Sequence, residues 1–184
     1  MLYRSLFLCL TLVSVLGCSA MGVPATSDPY QKLAYANQMI DQGRSVAAQK
    51  FMSEALQTFQ ENGDDFGAAE AYHDYGNFYK NRNIGIQNYE KSEESFRKAF
   101  ELYEKKTNYM GMMKSYFGIG NTYHSRKDYP KACEAYEKSK GYYLKGMEVN
   151  PNENMQLNPN FKNPGDMIDG FMKSINCDQM QKKS

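Results

Sequence analysis

Three asparagines stand at a repeating distance. Asn37, Asn77 and Asn121 are 40 and then 44 residues apart, each directly after a small residue, Ala36, Gly76 or Gly120. A carboxamide carries donor and acceptor together, so a row of them suits the backbone of an extended peptide. Lys80 and Lys114 fall on the same face by spacing and can meet a carboxylate. His73 and His124, the two histidines of the chain, share that register. They have neither a nucleophile nor a metal-ligand set beside them, and the chain contains no G-x-S-x-G, H-E-x-x-H, P-loop or dinucleotide glycine motif. The chemistry on offer is recognition rather than catalysis: no enzyme, cofactor, metal site or small-molecule substrate is expected. A plainer role stands beside it, in which each asparagine only satisfies polar groups between helices. Fifteen tyrosines and twelve methionines, with no tryptophan, add amphipathic contact surface. Most tyrosines at helical spacing belong to packing between helices, and some can anchor a partner.

These side chains must be held by a repeated helical unit. Residues 67–79 return 44 positions later as 111–123, with Gly67 and Gly111, Tyr72 and Tyr116, Gly76 and Gly120, Asn77 and Asn121, Tyr79 and Tyr123 at matching places. Repeats at this spacing mean stacked copies of one supersecondary unit that cannot bury its apolar face alone. Tyr72, Tyr75, Phe78 and Tyr79, like Tyr116, Ile119 and Tyr123, follow helical periodicity. A second helix follows in each unit, marked by Ala48, Met52 and Ala55, by Ser92, Phe96 and Ala99, and by Ala132, Tyr136 and Ser139. Small residues let two helices approach, and the large one fills the gap beside them. Turns at 42–44, 81–85 and 126–128 join paired helices; those at 62–65 and 107–108 join units. Asp128 is placed to cap a helix with Pro130 in its first turn.

Ile119-Gly120-Asn121-Thr122-Tyr123 and Asp128-Tyr129-Pro130-Lys131-Ala132 resemble the tetratricopeptide repeat, with its small–Gly–x–x–Tyr first helix and its Ala–x₃–aromatic–x₂–Ala second helix. The resemblance covers residues 30–145 in units 30–62, 66–106 and 110–145. The common period is about 34; these copies are longer, and the second carries roughly four extra residues at 83–88. The resemblance implies an all-α fold, a short right-handed α-solenoid of about three hairpins, whose first helices line a concave groove. Asn37, Asn77 and Asn121 would then face a protein or peptide partner, with His73, Lys80, Lys114 and His124 setting charge preference. The full Lys/Arg set that clamps a partner's C-terminal acid in such repeats is not matched.

Residues 1–17 read as a signal peptide: Arg4 is its only charge, and residues 6–16 form an apolar run too short to span a bilayer. Val15-Leu16-Gly17-Cys18-Ser19 resembles a bacterial lipobox, which implies a lipidated (palmitate-type) Cys18 and, with Ser19 following, the outer membrane, periplasmic face. Residues 18–29 read as the lipidated cysteine and a flexible tether. The whole chain has a formal net charge of +1, and losing Arg4 leaves the remainder neutral. No basic stripe supports a nucleic-acid role.

Residues 146–163 are rich in Asn and Pro and read as a connection. Pro164 opens a capping helix over 164–177, with Met167, Ile168, Phe171, Met172 and Ile175 on one stripe, and residues 178–184 form a polar tail. Cys133 and Cys177 either pair in a disulfide that holds the cap or stay separate thiols. Two functions follow. One is a membrane-anchored adaptor or assembly factor that binds a polypeptide in its groove. The other is a structural subunit of an envelope, secretion or pilus machine that uses its convex face or cap, with the groove filled by its own C-terminal segment.

Overall fold

The structure, a computed structural model, describes residues 26–82, 87–151 and 160–181, with side chains through residue 179. All regular structure among the described residues is helical. Three hairpins follow one another: α1 (Pro29–Asp41) with α2 (Ser45–Glu61), α3 (Asp65–Lys80) with α4 (Tyr89–Lys105), and α5 (Tyr109–Ser125) with α6 (Tyr129–Val149). Then come α7 (Pro164–Ser174) and α8 (Cys177–Gln181). Each helix packs on its chain neighbour, and α1, α3 and α5 also touch in succession, as in a short stacked solenoid.

The helix boundaries are chemical and recur from unit to unit. Asp64 accepts the Gly67 amide at 2.8 Å, and Asn108, 44 residues on, accepts the Gly111 amide at the same 2.8 Å. Such caps satisfy an otherwise orphaned first-turn N–H. Asp28, Asn88 and Asn163 cap α1, α4 and α7 in the same manner. Asp128 departs from expectation. It sits at the cap position of α6, but its side chain makes no cap bond and pairs instead with Lys131 at 3.2 Å. Pro130 has removed one of the amides that it would have served.

The repeated glycines are sockets. A Cβ on Gly67 would collide with the Phe59 ring, and one on Gly111 with the Tyr103 ring. Phe96 lies where a Cβ on either Gly76 or Gly118 would stand, and Tyr136 does the same at Gly120. Thus each second helix drives an aromatic ring into a glycine-lined gap on the first helices, and Phe59, Phe96, Tyr103 and Tyr136 are all fully buried. Ser92, aligned with Ala48 and Ala132, keeps the small-residue contact and donates to the Gly76 carbonyl at 2.8 Å.

The C-terminal region is two helices rather than one. Helix α7 ends at Ser174, Asn176 turns the chain with φ 59°, and α8 begins at Cys177 and carries helix into the segment expected to be a tail. Helix α6 likewise runs to Val149, beyond the expected end of the third unit. Cys133 in α6 and Cys177 in α8 are joined by a disulfide, with Cα atoms 5.5 Å apart. Beside it Ile168 and Ile175 are buried against Tyr136.

Candidate functional site: the groove of the first helices

The face shared by α1, α3 and α5 carries most of the residues singled out above. Asn37 and Asn77 are exposed, and Asn121 is half-buried. Their amides are engaged differently. Asn37 Nδ2 donates to Asp74 Oδ2 at 3.2 Å, joining α1 to α3. Asn77 Nδ2 lies 3.4 Å from His73 Nδ1, while its Oδ1 accepts from Lys80 Nζ at 3.4 Å. Asn121 Oδ1 accepts the Tyr136 hydroxyl at 2.8 Å. The first two keep edges open to solvent. The third is committed to α6 by the hydroxyl of a buried ring.

Lys114 is not a free cation. Its Nζ lies 2.8 and 3.1 Å from the two carboxylate oxygens of Glu70, which also accepts the Tyr103 hydroxyl. Glu70 and Lys114 are 44 residues apart, so they occupy one register position on successive first helices, and stacking brings them side by side. Burial pushes the Glu70 carboxyl up, but the Lys114 charge and the bonds from Lys114 and Tyr103 outweigh it and hold the group below its ordinary range.

Between this pair and Asn77 lie two groups whose burial disfavours charge. Asp74 is pushed up to about 6, chiefly by burial, with the Asn37 bond opposing and Glu70 adding. His73 is pushed down to about 3 by burial and then by Lys114, and its ring sits edge-on to Phe96 at 5.2 Å between centroids. His73 is therefore a neutral packing residue near pH 7. His124 lies beside the cap: its ring is 6.3 Å from Phe171 and 5.9 Å from Tyr129, with Nδ1 3.3 Å from the Tyr136 hydroxyl.

Helix α7 leaves the groove of α1 and α3 uncovered. Its Phe171 stacks edge-on against Phe117 at 5.1 Å and lies 5.9 Å from Tyr136, so it closes the end formed by α5 and α6. Among the described residues no group of three or more His, Cys, Asp and Glu side chains could hold a metal ion. Among them no helix is long and apolar enough to cross a membrane. Cys18 and the leader lie outside the described residues.

Glu70 and Asp74 were not singled out from the sequence. The signal for Glu70 was available, because adding one repeat length to its number lands on Lys114. Nothing comparable marks Asp74, whose partner Asn37 is not its register equivalent.

The model of the family described as soluble NSF attachment protein, SNAP, matches residues 21–148. The match spans all three hairpins nearly to the end of α6 and stops before α7 and α8. No curated protein and no solved structure matches the chain. With the helix order, this match makes the chain a helical-repeat protein, in agreement with the tetratricopeptide-like spacing.

Proposed function

The chain belongs to the soluble NSF attachment protein family, and from that premise we propose that it is an adaptor that binds a polypeptide partner in the groove of α1, α3 and α5. The observation that carries this reading is the state of that groove. Asn37 and Asn77 lie exposed on adjacent first helices, while α7 packs at the far end of the array through Phe171. A structural subunit with its groove filled by its own C-terminal helix would bury those amides. The family description speaks of an attachment protein, which fits an adaptor. It also speaks of a soluble protein. A lipid on Cys18 would leave the helical domain itself soluble and tether it through residues 19–28.

The finer reading is a lipid-anchored adaptor or assembly factor on the periplasmic face of a bacterial outer membrane. It rests on the apolar run at 6–16 and on Val15-Leu16-Gly17-Cys18-Ser19. Cys18→Ser should abolish incorporation of labelled palmitate and release the protein from the membrane fraction; a variant that still takes up label would remove the anchor.

The groove is tested by Asn37→Ala with Asn77→Ala after partner capture by crosslinking in the native membrane. Each lost hydrogen bond costs about 0.5–1.5 kcal/mol, so the pair should weaken capture roughly tenfold. Circular dichroism should show unchanged helix. A folded double variant that captures its partner as well as the parent does would move the contact to the convex face or the cap.

A further inference from the structure

At one edge of the array, the ends of α3 and α5 and the start of α6 surround a cavity of about 530 Å³. Lys80, Arg82, His124, Ser125, Lys127 and Tyr129 line it, and among the described residues no carboxylate does. Their placement follows from the turns. Lys80 is the last residue of α3, and Arg82 stands two positions on, just past the cap residue Asn81. Lys127 is the left-handed residue (φ 63°) between α5 and α6, and its amide closes the last turn of α5 on the His124 carbonyl at 2.9 Å.

Nearby acids are already committed. Glu90 pairs with Arg126 at 3.2 Å, and Asp128 pairs with Lys131 at 3.2 Å. Among the described residues, Lys80, Arg82 and Lys127 enter no ion pair. Among the described residues, three basic side chains therefore share one concavity without a counter-charge, an arrangement that raises the local concentration of anions. Lys80 is also half-buried. Its Nζ stands 5.7 Å above the Phe96 ring, and its hydrogen-bond partner is the neutral Asn77. Burial pushes its ammonium down to about 8, a cost that an adjacent anion would offset.

We infer that this cavity binds a phosphoryl group, with Arg82, Lys80 and Lys127 as its cationic ligands and the Tyr129 hydroxyl as a further donor at its rim. The charge count selects the ligand class. A single carboxylate would leave two of the three cations unbalanced, whereas a phosphate monoester carries about −1.5 to −2 near neutral pH. The planar guanidinium of Arg82 can present two parallel N–H donors to two phosphoryl oxygens, and the lysines add point charges. The inference does not depend on the groove holding a polypeptide, since it asks only for the phosphoryl group.

The test is calorimetric titration of the full chain with inorganic pyrophosphate, at ionic strength held constant with sodium chloride. Saturable binding is expected, and Arg82→Gln with Lys127→Gln should weaken it roughly tenfold or more, because both remove ligands rather than general charge. The charge-matched pair Lys105→Gln with Lys145→Gln, toward the far ends of α4 and α6 from the cavity, should leave it unchanged. Lys80→Gln should also weaken binding, and the Lys80 ammonium of the parent should titrate at higher pH once pyrophosphate is bound. Titrations with phosphoserine and with a phosphoserine-containing peptide separate the sources: equal affinities point to a free ligand, and a tighter peptide points to a group carried by a partner. Binding that does not saturate, or that falls equally in both charge-matched pairs, overturns the site.

Discussion

The second and third hairpins are copies in their framework and opposites in their groove. On the outer side the copies agree closely. Lys98 sits 5.6 Å over Tyr72 and Lys138 5.6 Å over Tyr116, each held by a glutamate one turn earlier, Glu94 or Glu134, at 2.7 Å. Lys91 over Tyr79 and Lys131 over Tyr123 form a second matched pair. On the groove side, unit two presents Glu70, His73, Asp74, Asn77 and Lys80. Unit three presents Lys114, Phe117, Gly118, Asn121 and His124 at the same register. The polar set lies on the face of α3 away from the cap, with Asn77 exposed. In the other set Phe117 and His124 lie under Phe171 of the cap. Features that repeat hold the hairpins together, and features that diverge decide whether a face meets solvent or closes the array.

The largest expected effect breaks the framework. Phe96 fills the sockets at both Gly76 and Gly118, so it joins unit two to unit three. Phe96→Ala should cost about 3–5 kcal/mol, the usual range for a buried aromatic. Urea unfolding checks this, and a loss below about 1 kcal/mol would mean that the units do not depend on that ring.

Next comes the covalent difference between the units. Cys177→Ser should lower stability by about 2–4 kcal/mol. Hydrogen exchange should rise in α7, α8 and the Phe117–His124 face of α5 and stay unchanged in α3. Uniform loss of protection across both units would erase the distinction between an open and a closed face.

The smallest effect sharpens the contrast in polarity. Asp74 is raised in the folded state from 3.8 to about 6, so over that window the folded chain binds more protons than the unfolded chain, and stability falls as pH rises. His73 is lowered from 6.5 to about 3, so the folded chain binds fewer protons there, and stability falls as pH drops. The two oppose each other across much of the acid range. Asp74→Asn should therefore make acid destabilisation steeper between about pH 6 and 4, while His73→Phe, the Phe117 counterpart, should make it shallower. Thermal midpoints read from pH 3 to 7 test both signs. The same substitution direction for both residues would show that burial is not the cause.

Much of this architecture is legible in the linear chain. The glycine and tyrosine spacing, the small–large–small marks of Ala48, Met52 and Ala55, and the break at 107–108 report local periodicity and turn chemistry, which are written residue by residue. The face of the asparagines was legible for the same reason. What each asparagine touches was not. Asn37 finds Asp74 and Asn121 finds Tyr136, because inter-helix distances depend on how closely the glycine sockets let the hairpins approach.

The sequence by itself thus determined the helical hairpins and their repeat register, since a period of one helical turn within a period of one unit leaves few arrangements. Tertiary structure alone decided which side chains remain available. Lys114 was taken by Glu70, His73 lost its charge to burial beside Phe96, and Asp128 turned from its amides to Lys131. It also gathered Lys80, Arg82 and Lys127 around one cavity from two different turns. Pairing, desolvation and like-charge proximity depend on distances of a few ångströms between residues dozens of positions apart, and the linear order of the chain does not carry those distances.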